Sequence, residues 1–204
     1  KIVVATNGFY QEGLVPQMNS RILPVISNII LTRKLSKHEI NLHNFRTYSP
    51  IMNTKNLLYY YRKLPDNRIL FGTRGDFIGS DQSNFNRSKK MEKFFKNIFP
   101  DWSEISIDYS WRGFIAMSQK LTPSIGKIED EEIYYGFGYH GVGVSTAPWT
   151  GKQLSKLVFS SNSQDLNISK IYTGLPKKFI FPRLRVFYFR LAVLFYIIKD
   201  RLNI

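Results

Sequence analysis

The sequence predicts an α+β fold, with antiparallel strands in the middle of the chain and helices at intervals. Three observations support this prediction. A turn cluster at Leu64–Asn67 separates two strand patterns and predicts a β-hairpin. Residues 88–99 carry apolar side chains at helical spacing and are followed by Pro100, which predicts a helix. Residues 183–202 form a long apolar and basic segment that predicts a final helix.

The remaining elements follow from apolar patterns and turn signals along the chain. Lys1–Ala5 is an apolar run typical of a strand buried on both faces, and a chain that opens inside such a strand is expected to be truncated or cleaved. Residues 36–56 are polar and contain Ser49-Pro50, so they are predicted as a loop. Further strands are predicted at 21–32, 57–62, 68–73, 105–117 and 133–137, and a further helix at 145–159.

The composition is that of a globular protein in a reducing compartment. Hydrophobic residues make up 43% and charged residues 22% of the 204 residues, which is ordinary for a folded domain. There is no cysteine, which excludes disulfides, thiolate nucleophiles and iron–sulfur clusters and fits a cytoplasmic location. The apolar run at Leu191–Ile198 is shorter than the ~20 residues that span a bilayer.

The net charge is +14, and such a basic balance is common in proteins that bind nucleic acid or anionic membranes. The lysines and arginines are scattered and no recognition motif accompanies them, so no specific nucleic-acid partner is predicted. The segment at 183–202 fits a helix on a membrane surface, although docking against its own domain or another subunit is the favoured interpretation. A non-enzymatic basic module that binds nucleic acid or an anionic membrane remains the alternative function.

The strongest functional signal lies in Tyr134–Leu157, where Gly136, Gly138, Gly141 and Gly143 crowd the junction between a strand and a helix. Glycines permit positive φ and a close approach of backbone to a ligand. The helix directs its N-terminal N–H groups at the junction, which suits an anion or a ring that becomes negative on reduction. The spacing is not that of the phosphate-binding GxGxxG motif. A turn that serves only tight packing is the alternative.

Three further groups of residues are candidates for a binding site. In the predicted hairpin, Tyr59 and Tyr61 share one face, and Arg74 is a candidate for binding a carboxylate. From these residues alone, an aromatic sheet face with a surface ion pair is the favoured interpretation. Trp111 lies at a strand end or bend and fits either a pocket wall or ordinary core. His140 lies among the glycines and is expected to contact a cofactor or substrate without acid–base work. The histidines show no metal-ligand spacing, so no metal site is predicted.

Several segments together carry a family resemblance: VVATNGFY at 3–10, RILPVISNIILT at 21–32, NLLYYYRKLPDNRILFGTRGD at 56–76, WRGFIAMSQKLTPSIGKI at 111–128, GYHGVGV at 138–144 and the tail at 183–202. In this order they resemble the C-terminal half of FAD-dependent oxidoreductases of the D-amino-acid-oxidase type, which include glycine and sarcosine oxidases. The likeness is closest to the gamma-glutamylputrescine oxidoreductase branch and covers nearly the whole chain.

The resemblance implies two parts with different roles. One is an antiparallel substrate domain whose sheet covers the flavin. The other is the C-terminal part of an FAD-binding domain of the glutathione-reductase-like Rossmann type, whose N-terminal half with GxGxxG is missing from this chain and is an expected partner. The implied ranges are 1–20 for the first FAD-binding segment, 21–117 for the substrate domain, 118–162 for the return to the FAD-binding domain and 163–204 for the tail.

The resemblance also assigns residues to the site, although it assigns no catalytic side chain. The implied substrate contacts are Tyr59, Tyr61, Arg74 and Trp111. The implied cofactor contacts lie at the end of the first strand, at one bend and in the glycine turn: Ala5, Thr6, Asn7, Gly113, Gly138, Tyr139, His140, Gly141, Val142, Gly143 and Val144.

The function implied by the resemblance is oxidation of a C–N bond in a small amine or amino-acid-like substrate by hydride transfer to FAD. Some relatives attach flavin through a cysteine near the position of Gly113, so the lack of cysteine implies non-covalent FAD. Ser145 stands where some relatives have a lysine, which leaves the electron acceptor open. Without the half that holds the ADP part of FAD, the chain alone is expected to be inactive, and an inactive fragment of the flavoenzyme is a further alternative.

Overall fold

The computed structural model describes residues 1–75, 79–159 and 168–202. The strands are β1 (Ile2–Val4), β2 (Leu23–Thr32), β3 (Ile51–Met52), β4 (Tyr59–Lys63), β5 (Ile69–Arg74), β6 (Ile107–Met117), β7 (Ser124–Lys127) and β8 (Ile133–Phe137). The helices are α1 (Lys37–Leu42), α2 (Asp81–Ile98), α3 (Gly143–Phe159) and α4 (Arg185–Leu202), with short 3-10 turns between several of these elements. The predicted mixture of helices and antiparallel strands is confirmed.

The chain divides into two compact units, each with its own hydrophobic core. Unit 1 consists of Lys1–Val25 and Phe114–Phe187, and unit 2 consists of Ile26–Gly113 and Tyr188–Ile204. The first segment of unit 2 lies within the range 21–117 expected for the substrate domain. The segment expected as a tail at 163–204 is shared between the two units, and the expected boundary at 162 lies outside the described residues.

Unit 1 is built on a three-stranded sheet in the order β1-β8-β7. β1 runs parallel to β8, from the pair Ile2–Ile133 to the pair Val4–Tyr135, and β7 pairs with β8 antiparallel. The expectation that β1 is buried on both faces is wrong, because Ile2 is 60% and Val3 is 48% exposed. The reason is that β1 lies at the edge of this sheet and, within the described residues, pairs only with β8.

Helix α3 packs closely on the sheet of unit 1. The backbone of β8 approaches the helix at Gly136, where an added Cβ would lie 2.7 Å from side-chain atoms of both Leu154 and Thr150. Leu154 and Val158 of α3 join Ile125 in a buried cluster on this side of the sheet. Gly136 therefore allows the helix to pack closely on the strand. The alternative interpretation, in which the glycines serve only tight packing, is thus correct for this glycine.

Unit 2 is built on a five-stranded sheet in the order β3-β4-β5-β2-β6. The predicted hairpin is confirmed: β4 and β5 pair antiparallel, with Lys63 opposite Ile69 at the turn. β2 pairs antiparallel with the other side of β5, so the hairpin forms the centre of the sheet. Helix α2 covers one face, where Phe95 and Met91 of the helix are buried with Phe71 and Ile30 of the strands.

Three elements of unit 2 differ from the prediction: α2 begins earlier than expected, and α1 and β3 lie in a predicted loop. Helix α2 starts seven residues before the predicted residue 88, because the hydroxyl of Ser80 accepts a hydrogen bond from the N–H of Ser83 and caps the helix at that point. The predicted loop at 36–56 is partly wrong, since it contains α1 and β3. A capping box stabilises α1: Ser36 Oγ accepts from Glu39 N, and Glu39 Oε2 accepts from Ser36 N at 2.8 Å.

Helix α4 begins after a 3-10 turn at Pro182–Leu184, close to the predicted start at residue 183. In unit 2 its Val193 is buried, and its Asp200 accepts hydrogen bonds from the backbone N–H groups of Asn56 and Leu57. These bonds, with the Asn56 side chain, lower the pKa of Asp200 below its usual value. In the part of the chain that the structure describes, no helix is long and apolar enough to cross a membrane.

Candidate functional site

The carboxyl ends of β1 and β8 meet at one edge of the unit 1 sheet, because the two strands are parallel. Ligands of open α/β sheets bind at this kind of edge. After β1, the chain passes through Ala5 and Thr6 into a 3-10 turn that starts at Asn7, and after β8 it enters the glycine turn at 138–142. The Oδ1 atom of Asn7 accepts a hydrogen bond from the N–H of Gly138 at 3.0 Å. One side chain thus joins the two segments that the sequence assigned to the cofactor.

The glycine turn requires left-handed backbone at successive positions. φ is +80° at Gly138, +50° at His140 and +94° at Gly141. At Gly141 an added Cβ would meet only Ile115 Cδ1, at 3.9 Å, so backbone strain and not crowding makes glycine the suitable residue. The turn reverses the chain between β8 and α3, and it is exposed at Gly141 and Val142.

The N-terminus of α3 opens onto this turn. The backbone N–H groups of Ser145 and Thr146 donate to the carbonyl of Val142, and their hydroxyl groups donate to the same atom at 3.0 and 2.9 Å. Val144 is 96% exposed and Val142 is 55% exposed. The first N–H groups of a helix lack partners within it and carry the positive end of its dipole. This end of α3 can therefore receive a group that is negative or becomes negative.

The ring of His140 lies beside the turn and is half-buried. Its Nε2 atom is 3.3 Å from Ser118 Oγ, and its backbone N–H donates to the carbonyl of Ala116. Burial lowers the pKa of His140 below its usual value, and the Thr122 backbone partly offsets this, so burial favours the neutral form of the ring. The Nδ1 atom is buried and has no hydrogen-bond partner within the described residues. His140 thus presents a half-buried imidazole beside the turn, with its Nε2 atom held at Ser118.

Tyr139 points away from the exposed surface of the turn. Its hydroxyl donates to the carbonyl of Gly136 at 3.4 Å, and its ring packs beside Gly143 at the start of α3. Burial raises the pKa of Tyr139 above its usual value. The side chain of Tyr139 therefore supports the turn, and only its backbone is available to a cofactor.

The structure brings the predicted cofactor residues together in unit 1, with one exception. The exception is Gly113, which is an exposed residue of β6 and the last residue of the first segment of unit 2. No atom outside its chain neighbours would come within 4 Å of a Cβ at Gly113. Neither packing nor a left-handed backbone accounts for glycine at this position.

The predicted substrate residues divide between the two faces of the unit 2 sheet. Tyr59 and Tyr61 lie on the face covered by α2, where Tyr59 packs edge-on against Phe94 and Tyr61 packs edge-on against Phe99. Burial raises the pKa of Tyr61. The strand alternation predicted that these two tyrosines share a face, but the covering helix occupies that face. Their side chains are part of the packing against the core of unit 2.

Arg74 lies on the opposite side of this sheet, called the open face below, two residues after Gly72 on β5. Its guanidinium group donates to the carbonyl of Gly75. Trp111 is 41% exposed on the edge strand β6, where its neighbour Arg112 reaches Ser80 and Asp81 at the start of α2. The open face thus carries a cation, and Trp111 is an exposed ring at the edge of the sheet.

Sequence reasoning missed Tyr60, which lies on the open face opposite Gly72. A Cβ at Gly72 would lie 2.3 Å from the Tyr60 ring, which shows that the ring lies flat over the glycine. The Tyr60 hydroxyl is 3.0 Å from Ser27 Oγ on β2. A glycine inside a strand is a signal of such a close approach, and it is visible in the sequence.

The chemistry available at these residues is binding and orientation. Among the described residues, no group of three or more His, Asp or Glu side chains has the arrangement of a metal site. The turn at 138–143 offers backbone N–H groups, a helix N-terminus and one neutral imidazole. Such a site can orient a ring system and stabilise negative charge on it.

The family follows from comparison with known proteins. Residues 1–157 match the model of the family described as FAD dependent oxidoreductase. The chain belongs to this family. FAD is the cofactor of the family, and the predicted family resemblance is confirmed.

Individual relatives support this assignment, and this chain covers less than half the length of each. The chain is 28% identical to the gamma-glutamylputrescine oxidoreductase of Escherichia coli over 206 residues, which span 100% of this chain and 46% of that protein. It is also 28% identical over 199 residues to the probable oxidoreductase OrdL of Haemophilus influenzae, spanning 93% of this chain and 44% of that protein. The chain therefore spans about half the length of the curated relatives that it matches.

Solved structures show the same fold. L-proline dehydrogenase from P. horikoshii superimposes with a TM-score of 0.62 at 20% identity, covering 83% of this chain and 45% of that one. Glycine oxidase from Geobacillus kaustophilus gives a TM-score of 0.55 at 16% identity, covering 80% of this chain and 41% of that one. The fold is thus similar to that of FAD-dependent amino-acid oxidoreductases.

The bond between Asn7 and Gly138 is open to a direct test. Replacing Asn7 with Leu removes the acceptor, leaves the buried N–H of Gly138 without its partner and places a branched side chain at φ +48°. We expect a loss of about 2 kcal/mol in the free energy of unfolding in urea. Asn7→Asp keeps an acceptor and tolerates this backbone conformation, so its loss should stay below about 1 kcal/mol. Equal losses in the two variants would show that the hydrogen bond is unimportant.

Proposed function

We propose that this chain forms the flavin-facing C-terminal part of an oxidoreductase that oxidises the C–N bond of an amine or amino-acid-like substrate. The observation that carries the proposal is the turn at 138–143, which joins the carboxyl end of β8 to the exposed N-terminus of α3. Parallel pairing places Ala5, Thr6 and Asn7 at the same edge. A planar ring that gains negative charge on reduction fits this combination of backbone N–H groups and helix dipole.

The residues of the turn would hold the ring part of FAD. When bound, FAD supplies the redox chemistry by accepting hydride from the carbon of the C–N bond. Gly138, Gly141 and Gly143 allow the backbone to approach the ring, and the N–H groups at the start of α3 stabilise its negative charge. His140 provides a neutral hydrogen-bonding group beside the turn. We expect FAD to bind non-covalently, because this chain has no cysteine to which the flavin could be attached. The absence of cysteine also fits the reducing cytoplasm, where we place the protein.

The proposal includes an N-terminal Rossmann half that holds the ADP part of FAD. The edge of the unit 1 sheet supports this part of the proposal, since β1 presents exposed Ile2 and Val3 and pairs on one side only within the described residues. An exposed apolar edge strand is a surface that proteins normally cover or pair. The relatives, which are about twice as long, have the length for such a half. The chain without it is expected to bind FAD weakly and to be inactive.

We assign the substrate contacts of unit 2 to the open face and to the exposed ring of Trp111. Arg74 offers a guanidinium group to a substrate carboxylate, and Trp111 and Tyr60 offer aromatic surface to its carbon chain. Tyr59 and Tyr61, first assigned to the substrate from the resemblance, instead stabilise the packing of α2 on the sheet. Amine recognition of this kind needs no acid–base side chain, because a neutral amine is already competent to lose hydride.

The flavin proposal predicts a specific effect of one methyl group. The chain is co-expressed with an N-terminal Rossmann half, and bound FAD is measured from the visible absorption of the purified complex. Gly141→Ala forces a left-handed alanine at φ +94° and should weaken FAD binding at least about tenfold. Gly151→Ala is the matched control, because Gly151 lies inside α3 with nothing within 4 Å of an added Cβ. It should leave binding unchanged.

Two outcomes would contradict the flavin proposal. A correctly folded complex that contains no flavin would show that the turn does not serve FAD. An equal loss of FAD from the Gly141→Ala and Gly151→Ala complexes would show that the conformation of the turn is irrelevant.

The assignment of faces predicts opposite effects for neighbouring tyrosines. In the active complex, Trp111→Leu and Tyr60→Leu should both raise KM several-fold, because Trp111 is exposed and Tyr60 lies on the open face. Trp111→Leu should change Tm little, whereas Tyr60→Leu should also lower Tm because it loses the packing over Gly72 and the contact with Ser27. Tyr61→Leu should lower the free energy of unfolding by about 2 kcal/mol and leave KM unchanged, because it loses contacts with Phe99 and Phe71. A rise in KM for Tyr61→Leu alone would contradict this assignment and indicate that the substrate contacts the face that α2 covers.

A further inference from the structure

Helix α4 presents two unlike faces. In unit 2, the face with Val193 packs against the protein, and Asp200 on the same side accepts three hydrogen bonds from Asn56 and Leu57, at 2.8, 2.8 and 2.9 Å. Asp200 is the one acidic residue of the helix sequence. The docking of α4 on its own unit therefore uses the only negative charge that the helix has.

The opposite side of α4 is an exposed apolar strip. Its members recur at intervals of three and four residues, which places them within about a third of the helix circumference. Each is between 37% and 62% exposed. The strip consists of Tyr188, Leu191, Leu194, Phe195, Ile198 and Leu202.

Cations border the apolar strip on both sides. By helical geometry, Arg190 and Arg201 lie along one border and Lys199 lies along the other. An apolar face with basic residues at its edges is the pattern of a helix that lies in the interface of an anionic bilayer, where the apolar side chains enter the acyl region and the cations meet lipid phosphates. The whole chain carries +14, so the rest of the surface adds to this attraction.

We propose that the apolar strip of α4 binds the surface of an anionic membrane, with α4 parallel to that surface and its Asp200 side held by unit 2. The charges favour a membrane over a second copy of the chain, because two strips packed together would bring Arg190, Lys199 and Arg201 of both copies close to one another. They favour it over nucleic acid, because six exposed apolar side chains have no partner on a phosphate backbone. The proposal does not depend on flavin binding.

The test measures how the full chain partitions onto lipid vesicles. We expect flotation with vesicles of phosphatidylcholine and phosphatidylglycerol to exceed flotation with phosphatidylcholine alone by at least about tenfold, and high salt to abolish the difference. Leu191→Gln/Phe195→Gln removes the centre of the strip and should reduce binding at least about tenfold. Circular dichroism and Tm establish that this variant keeps its fold.

A matched pair of charge variants separates the borders of the strip from net charge. Lys199→Gln/Arg201→Gln removes a cation from each border and should weaken binding to the anionic vesicles about tenfold. Lys90→Gln/Lys93→Gln removes the same charge from two exposed positions on α2 and should change binding less than about twofold. Equal losses in the two variants would reduce the effect to net charge and overturn the proposed geometry.

Two further results would overturn the proposal in favour of another occupant. Dimers that light scattering detects without lipid, and that Leu191→Gln/Phe195→Gln dissociates, would assign the strip to a second copy. Vesicle binding by the chain alone that disappears in the complex with the N-terminal half would assign the strip to an interface inside the enzyme. Binding that persists in the complex supports the membrane assignment.

Discussion

The parallel pairing of β1 with β8 is the constraint on which the candidate site depends. These strands are far apart in sequence, and their alignment from Ile2–Ile133 to Val4–Tyr135 brings both carboxyl ends to one edge. Asn7 then holds Gly138 directly, which fixes where the glycine turn leaves the sheet. The direction of α3 follows from this turn, and with it the position of the helix dipole. Without the pairing, the two segments would be unrelated loops.

The glycines near this edge have separate physical tasks. Gly136 lets Leu154 and Thr150 of α3 pack directly on β8, whereas Gly138 and Gly141 adopt left-handed backbone in the turn, where Gly138 is buried and Gly141 is exposed. The glycine pattern therefore combines two tasks, close packing at Gly136 and left-handed backbone at Gly138 and Gly141. The first holds the helix close to the strand, and the second leaves its N-terminus accessible. Gly72 shows the same principle in unit 2, where it accommodates the ring of Tyr60.

Local signals predicted much of the fold, and non-local packing explains the rest. The turn at Leu64–Asn67 specified the hairpin, because its residues favour one local geometry. Helix α1 escaped notice because it is short and polar, although its capping box at Ser36 is a readable signal. β7 is defined by its partner β8 more than by its own sequence. Strand alternation placed Tyr59 and Tyr61 together, but a distant helix decided which face is covered.

The central claim is that a flavin ring contacts the turn at 138–143. Its most direct test is a nitrogen-15 NMR spectrum of the chain, labelled at glycine and assembled with an unlabelled N-terminal Rossmann half, recorded with and without FAD. We expect FAD to shift the amide signals of Gly138, Gly141 and Gly143 and to leave those of Gly13 and Gly126 in place. Shifts confined to glycines outside the turn, with Gly138, Gly141 and Gly143 unchanged, would contradict it.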